Sequence, residues 1–369
     1  MRRRHRLRRK NLKKRRALFI IGLFSITFLF ASGYAAFSTA LNINAKGNLI
    51  NIPKISPSDL IDPENIVTTG DGLYADPVET NRYVYKGANP NNYITIGNEE
   101  YRIMAIEPDG TLKVIKNETI GNFPWDPGYS DSISGITESN SVTGTRWTTT
   151  STDFCYYSTS TTLYFGCKSW GSSTTTLDSS GVNVTVMPRV AGNSTTYNLP
   201  STEAYLNTYL NTTYINNLLS NIDINKRDKI INHLYNIGSV KNTSGQTLAT
   251  DITQEETYKW RGKVGLMTVT DYVKGSTNSA CTSVREYSNT SGCYSNSTTH
   301  NYLAKSYGQW TMSPDSSSDS RHVWCVYSSG FILSNTGANS STAVRPVLYL
   351  SSDLLLKGSG TPSDKYELA

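Results

Sequence analysis

Apolar and β-branched side chains concentrate in three short runs near the start of the predicted folded region. The runs are Tyr93–Ile96, 100–106 and Leu112–Lys116, and Gly97 with Asn98 and the 108–110 Pro-Asp-Gly sequence separate them. Short β-rich runs divided by strong turn signals are typical of antiparallel hairpins. The pattern therefore predicts an antiparallel β-meander.

Helical spacing appears further along the chain. After Pro200, a helix is predicted from Ser201 that places Tyr205, Leu206, Tyr209 and Leu210 on one face. The same spacing predicts a helix over 222–234, and a Thr-x-x-Glu capping box at 253–256 predicts a helix that runs to Trp260. Residues 264–267 are expected to form a short strand followed by a turn of helix.

The C-terminal third returns to β patterning, with runs that start at Trp310, His322 and Ala343. Val344, Val347, Leu348 and Leu350 make the last run too apolar for a sheet edge. Pro346 cannot donate a ladder hydrogen bond, so we expect residues 347–350 to be fully paired, with a bulge or the start of the strand at residues 345–346. We expect Arg345 to bind an acidic or carbonyl partner inside the domain.

Strands thus outnumber helices, and the predicted fold class is α+β, an antiparallel β-rich domain with several short helices. Four prolines between residues 37 and 81 indicate a linker, which gives an α+β domain over 82–369. Within this domain, residues 130–196 are dense in Ser, Thr, Gly and Tyr, and we expect long surface loops there.

The N-terminal segment carries the clearest targeting signal. Residues 2–16 contain eleven Lys and Arg and no acid, and residues 17–36 are twenty residues without a charge. A helix of that length spans about 30 Å, the thickness of a bilayer core. A basic segment before such a stretch stays in the cytoplasm, so 1–16 is expected inside the cell, 17–36 in the membrane and 37–369 outside. Small residues near position 33 match the spacing that a signal peptidase recognises. The alternative is therefore that the leader is cleaved as a signal peptide and the protein is secreted.

The overall charge does not indicate nucleic-acid binding. The chain is formally +6, and the eleven leader cations exceed that total by five, so the remainder is mildly acidic. We expect no nucleic-acid partner.

Five cysteines fall in the exported part. Cys155 and Cys167 have the same spacing as Cys281 and Cys293, which predicts two local disulfides and leaves Cys325 single. Five reduced and buried cysteines are the alternative. CxxC and HxxxH spacings are absent and the four histidines are scattered, so we expect neither a metal nor a cofactor.

Three blocks carry a resemblance: 72–121, 263–275 and the segment from WTMSP at Trp310 to the end. Together they resemble an uncharacterised family of exported proteins of Gram-positive gut bacteria. The ending, with Arg345 after Trp310 and Trp324, is also similar to the C-type-lectin-like fold that includes formylglycine-generating enzyme relatives. This resemblance implies a lectin-like binding face near Trp310, Trp324 and Tyr327.

The composition favours recognition over catalysis. Tyr outnumbers Phe by 24 to 9, and Ser, Asn and Gly are abundant, a mixture used at contact surfaces, although tyrosines also cover half-buried sheet. The copper-binding cysteine pair of the formylglycine-generating type has no match. A hydrolase with a pair of catalytic carboxylates stays an alternative, and the candidates for the pair are Asp126, Asp131, Asp271 and Glu286. We expect a displayed binding or adhesion module for an extracellular glycan or protein. The first alternative is an extracellular matrix protein, and the second is an extracellular enzyme.

Overall fold

The computed structural model describes residues 53–126, 155–158, 163–168, 170–171, 176–177, 183–184, 204–286, 292–294, 296–316 and 322–369. Lys54–Ala369 forms one compact unit and Met1–Pro53 another, which lies outside the described residues except for Pro53. Among the described residues no helix has the length and apolarity needed to cross a bilayer. The predicted segments 1–16 and 17–36 lie outside them.

The fold is mixed α and β, with many strands and few, short helices. The helices are α1 (Pro57–Leu60), α2 (Tyr205–Tyr209), α3 (Ile215–Ser220), α4 (Leu248–Glu255) and α5 (Val269–Lys274); a π-helical turn (Leu210–Tyr214) joins α2 to α3, and 3₁₀ turns occupy Pro63–Asn65, Ile224–Lys229 and Ser297–Thr299.

The strands run through the whole compact unit. They are β1 (Gly72–Ala75), β2 (Tyr83–Lys86), β3 (Tyr93–Ile96), β4 (Glu99–Ile106), β5 (Leu112–Lys116), β6 (Asn122–Pro124), β7 (Cys155–Ser158), β8 (Leu163–Cys167), β9 (Thr176–Leu177), β10 (Asn183–Val184), β11 (Ile230–Ile231), β12 (His233–Asn236), β13 (Lys259–Gly262), β14 (Val264–Gly265), β15 (Gln309–Pro314), β16 (His322–Val326), β17 (Ile332–Gly337), β18 (Ser341–Ala343), β19 (Val347–Leu350), β20 (Leu356–Lys357) and β21 (Tyr366–Leu368).

Ten strands form the larger sheet, with the order β11-β19-β5-β4-β3-β21-β20. The hairpin β1–β2 joins it through β4, and β14 joins it through β19. Most pairs are antiparallel, and β21 beside β3 is a parallel pair. A second sheet has the order β17-β16-β15-β18-β6, and β12 pairs with β13 separately.

The predicted meander is confirmed. β3, β4 and β5 pair as antiparallel neighbours, and the hairpin turns use Gly97 and Gly110, both at positive φ. β4 is buried from Tyr101 to Ile106 and lies inside the sheet, with β5 along one edge and β3 and then β2 along the other.

The prediction for the last apolar run is confirmed for residues 347–350, whereas Ala343 ends β18 of the second sheet and is not part of the same strand. β19 lies between β5 on one side and β11 and β14 on the other, and all four of its residues are buried. Pro346 directly precedes the strand, and its carbonyl oxygen accepts a hydrogen bond from the Lys116 amide at 2.8 Å. Arg345 is 2% exposed and donates to the carbonyl oxygens of Lys116 and Leu303 and to the Gln309 side chain.

Two helix predictions are wrong. Over 222–234, Asp223 caps a 3₁₀ turn, and Ile230 and Ile231 then pair with β19, because β-branched side chains suit a buried sheet position. The capping box at 253–256 does not start a helix. α4 instead begins after Thr247, whose hydroxyl accepts from the Thr250 amide, and it ends at Glu255.

The folded unit starts earlier than the prolines of 37–81 suggest, which corrects the predicted boundary at residue 82. The backbone of Ile55 pairs with that of Leu356, and β1 forms a four-residue ladder with β2. Pro57 and Pro63 begin short helical turns. At the start of a helix the backbone amide has no intrahelical partner, so a proline, which lacks that amide, is tolerated there. The predicted loop region 130–196 lies largely outside the described residues.

Candidate functional site

The β1–β2 hairpin places a buried arginine beside the main sheet. Its loop closes with a hydrogen bond from the Asp76 amide to the Arg82 carbonyl at 2.8 Å. The Asp76 carboxylate accepts from the amides of Val78 and Glu79, and Asn81 adopts positive φ, a conformation that asparagine tolerates better than most residues. Asp76 and Arg82 are therefore fixed by the turn itself.

Arg82 contacts carboxylates from three separate parts of the chain. Its guanidinium donates to Asp76 at 2.8 Å, to Glu107 at 2.8 and 3.2 Å, and to Asp271 at 3.3 Å. The side chain is 4% exposed. A buried arginine needs such partners because an unpaired buried charge is costly.

Asp271 comes from the first turn of α5. Thr268 and Asp271 form a capping box, in which the Thr268 hydroxyl accepts from the Asp271 amide and the Asp271 carboxylate accepts from the Thr268 amide. The oxygen that accepts from Thr268, Oδ2, also accepts from Lys113 Nζ of β5 at 2.6 Å, and Oδ1 accepts from Arg82. Helix capping thus fixes the acid that links Arg82 to Lys113.

Lys274, at the end of α5, extends the same cluster. Its ammonium lies 2.7 Å from Asp76 and also binds Glu79. We call the whole set the charge network, which consists of Asp76, Glu79, Arg82, Glu107, Lys113, Asp271 and Lys274.

The pairing inside the charge network keeps its members ionised. Burial by itself would raise the pKa of Asp271, but Lys113 and Arg82 overcome that effect and hold its pKa well below the ordinary value. Burial likewise acts against ionised Glu107, and Arg82 lowers its pKa. For Lys113 burial would lower the pKa, yet Asp271 and Glu107 raise it.

A cavity of about 570 Å³ opens over the charge network. Strands β12 and β13, the end of α4 and Tyr349 of β19 supply further parts of its wall. We call it the ionic pocket. A cavity of this volume holds a ligand of several to many heavy atoms rather than a single ion.

The β12–β13 hairpin gives the ionic pocket a polar wall. Asn236 lies opposite Lys259, and Leu234 lies opposite Arg261. Directly paired residues point to the same face of a sheet, and so do residues two apart, so these four side chains share one face. All four line the cavity and are half-buried.

Tyr349 forms part of the deeper wall. It is 4% exposed, and its ring stacks on His233 with centroids 3.8 Å apart. Lys113 Nζ lies 5.6 Å from the Tyr349 ring centroid. The Tyr349 hydroxyl has no hydrogen-bond partner within the described part of the chain, and burial raises its pKa well above the ordinary value.

Glu255 is a buried acid at the end of α4. Its carboxylate accepts from the Thr270 amide at 3.2 Å, from the Thr270 hydroxyl and from the Ser313 hydroxyl at 2.7 Å. Burial nevertheless raises its pKa to about 7. Asp251, one turn earlier in α4, is also buried, and burial raises its pKa to about 6.

The structure corrects the predicted binding face for two of its three residues. Trp310 and Trp324 are 1% and 0% exposed, and their ring nitrogens donate to the carbonyl oxygens of Phe123 and Val240. They are core residues, and the Trp310 ring packs edge to face on Trp125 with centroids 6.0 Å apart. Tyr327 is 46% exposed and stacks on Phe331 with centroids 5.1 Å apart.

One predicted disulfide is confirmed. Cys281 and Cys293 are bonded, and Cys325 is free and buried. Cys155 and Cys167 are register partners across β7 and β8. Their side chains lie outside the described part of the structure, so that bond stays a prediction.

The candidate carboxylates do not gather at one place. Asp271 belongs to the charge network, whereas Asp126 accepts from the Tyr205 amide and Glu286 from the amide and hydroxyl of Ser334. Asp131 lies outside the described residues. Within them, no group of three or more His, Cys, Asp or Glu is placed to hold a metal ion.

The sequence contains signals for the charge network, although Arg82 and Lys113 were not among the predicted site residues. The sequence Thr268-Val-Thr-Asp271 is a capping box directly after an apolar run. Lys113 and Arg82 interrupt or adjoin apolar strands, and a charge at such a position needs an ionic partner. The partner itself, 158 residues away, is not readable from local spacing.

A family model described as a domain of unknown function, DUF6273, matches residues 184–352. The matched segment contains α4, α5 and the β12–β13 hairpin, whereas Arg82, Glu107 and Lys113 precede it. The ionic pocket therefore combines the matched segment with the meander before it. No curated protein and no solved structure matched the chain.

Proposed function

We propose that this chain is an exported bacterial cell-surface binding module and that the ionic pocket is its ligand site. One observation carries the proposal: the pocket of about 570 Å³ is lined by charges that the fold already holds in place. A ligand that enters meets oriented donors and acceptors and imposes little ordering cost on the protein.

Export is supported by the basic and apolar leader at residues 1–36, a pattern typical of a segment that precedes an exported domain, anchored or released. The Cys281–Cys293 disulfide supports the same location, because such bonds persist in oxidising compartments. We further propose a C-type-lectin-like fold for the compact unit. Mostly antiparallel sheets, short helices and the buried closing strand β19 are compatible with it.

Binding fits the pocket better than catalysis. The acids of the charge network have cations as partners, and Lys113 and Arg82 hold the pKa of Asp271 too low for proton transfer near neutral pH. Glu255 has a pKa of about 7, but it is 1% exposed and three donors already occupy its oxygens. It therefore stabilises the start of α5.

The test is a glycan and host-protein array probed with the purified full-length protein and three variants. Asn236→Ala/Lys259→Ala changes the pocket wall, Lys241→Ala removes an exposed lysine that does not line the pocket, and Tyr327→Ala removes the exposed ring. We expect array signals that the pocket variant loses and the other two keep. Signals that only Tyr327→Ala abolishes would move the site to the Tyr327–Phe331 pair, and a folded protein without signals would contradict the proposal.

A further inference from the structure

The charges of the ionic pocket are not evenly compensated. Each cation of the charge network has carboxylate partners at 2.6–3.3 Å. Lys259 of β13 has no ion-pair partner among the described residues, although it is half-buried and lines the cavity. Arg261 lies on the same face of β13, two residues further on, but its guanidinium has partners within the protein and donates to the Asn232 carbonyl oxygen at 3.5 Å. Lys259 is therefore the cation that β13 presents to the cavity.

Polar groups that can form hydrogen bonds with uncharged ligand oxygens also line the cavity near Lys259. The Asn236 amide is directly across the hairpin from Lys259 and has no hydrogen-bond partner among the described residues. The Tyr349 side chain is 4% exposed and lines the cavity, its hydroxyl has no hydrogen-bond partner among the described residues, and its raised pKa keeps it protonated as a donor. A ligand oxygen that accepts from this hydroxyl adds a hydrogen bond.

The acids near the cavity limit what else can bind. Glu256 is an exposed carboxylate at the end of α4, and Asp109 lies near His233 at 3.3 Å. A ligand with several negative charges would meet these acids as well as the β13 wall. A single anionic group at β13, with hydroxyl groups over the remainder, avoids that repulsion.

From this arrangement we infer that the ligand of the ionic pocket is a saccharide with one anionic substituent. The anionic group binds Lys259, and sugar oxygens bind Asn236 and Tyr349. The cavity volume of about 570 Å³ fits a mono- or disaccharide and far exceeds a lone inorganic anion. This inference rests on the proposed binding function and names its ligand class.

Calorimetric titration of the full-length protein with matched sugars tests it. Glucuronate and N-acetylmuramate carry a carboxylate that glucose and N-acetylglucosamine lack, and glucose 6-phosphate carries a phosphate instead. We expect each anionic sugar to bind at least about tenfold more tightly than its neutral analogue at low salt, with the preference reduced at high salt. The anionic sugar that binds most tightly shows whether the pocket prefers a carboxylate or a phosphate.

Two variants locate the contact. Lys259→Met should abolish the preference for anionic sugars with an unchanged melting temperature, whereas Lys241→Met, outside the pocket, should keep it. Tyr349→Phe should weaken neutral and anionic sugars alike by about three- to tenfold, because it removes one hydrogen bond.

Equal affinity for neutral and anionic sugars, lost in Asn236→Ala/Lys259→Ala, would overturn the inference and leave the proposed function intact. Absence of binding to every sugar, together with pocket-dependent signals for proteins on the array, would overturn it too. Absence of both would overturn the inference and the proposed function together.

Discussion

Two buried regions of this protein differ in what they need from their surroundings. The tryptophan cluster consists of Trp125, Trp170, Trp260 and Trp310, whose rings meet edge to face at centroid distances of 4.9–6.0 Å. Each of the four is at most 7% exposed. Most of the charge network is as buried, with Glu79 at 30% exposure and Glu107 at 12% the more open members, but it borders a cavity.

The contrast shows why aromatic content misleads as a guide to a binding site. A tryptophan ring stabilises the fold most when it is fully buried, and a fully buried ring is not accessible to a ligand. A buried charge instead requires partners in fixed positions, and a set of such partners at an open cavity leaves oriented donors and acceptors for a ligand. The resemblance to lectin-like domains implied a binding face at aromatic rings, whereas the polar cavity of the structure lies at the charge network.

The largest expected effect is on the tryptophan cluster. Trp310→Ala removes a fully buried ring, and we expect the free energy of unfolding to fall by about 4 kcal/mol because a large cavity remains. Chemical denaturation of the two proteins measures it. Tyr327→Ala is the control and should change stability by less than about 0.5 kcal/mol, since Tyr327 is 46% exposed. Similar losses in both variants would contradict the distinction between core ring and surface ring.

A somewhat smaller effect is expected in the charge network. Asp271→Asn leaves Lys113 and Arg82 short of one negative charge, so we expect a loss of about 3 kcal/mol in the free energy of unfolding. Asp353→Asn, which removes a 69% exposed partner of Lys229, should cost at most about 1 kcal/mol.

Adding Lys113→Met to Asp271→Asn should recover part of the loss, because the unpaired ammonium is then absent. Strict additivity of the two substitutions in a double-mutant cycle would show that Lys113 and Asp271 do not stabilise each other.

The third effect depends on pH. Glu255 has a pKa of about 7 in the folded protein against an ordinary value of 4.5. Its contribution is therefore complete below pH 4.5 and is lost as the pH rises through 7, so stability should fall by up to about 3 kcal/mol over that window. Glu255→Gln should flatten this slope in urea titrations at a series of pH values.

Asp251 retains part of the slope in that variant, because its pKa of about 6 is raised in the same direction. Glu256→Gln is the matched control, since the neighbouring Glu256 is exposed, and it should reproduce the wild-type pH profile. A slope that Glu256→Gln removes and Glu255→Gln leaves intact would refute the assignment.

Local signals predicted the β part of the fold well. The meander followed from turn residues between β-rich runs, and β19 followed from a run too apolar for a sheet edge. Arg345 was predicted correctly because a charge beside such a strand has to find internal partners. These features depend on a few neighbouring residues, so the sequence is sufficient.

The errors arose where distant residues decide the outcome. Ile230 and Ile231 have helical spacing with their neighbours, yet pairing with β19 makes them a strand. The prolines before residue 82 indicated a linker, but Leu356, near the other end of the chain, holds Ile55 in the fold. The charge network also joins elements far apart in sequence, and no local pattern announces Lys113 as the partner of Asp271.

The order of strands in the large sheet also bears on how the protein is made. β3, β4 and β5 are synthesised well before β19 and β21, the strands that cover β5 and β3. Until β19 and β21 have been made, the growing chain therefore carries exposed strand edges, which are prone to aggregate. A chain that stops before residue 347 cannot cover β5, so the early strands depend for their protection on strands more distant in sequence.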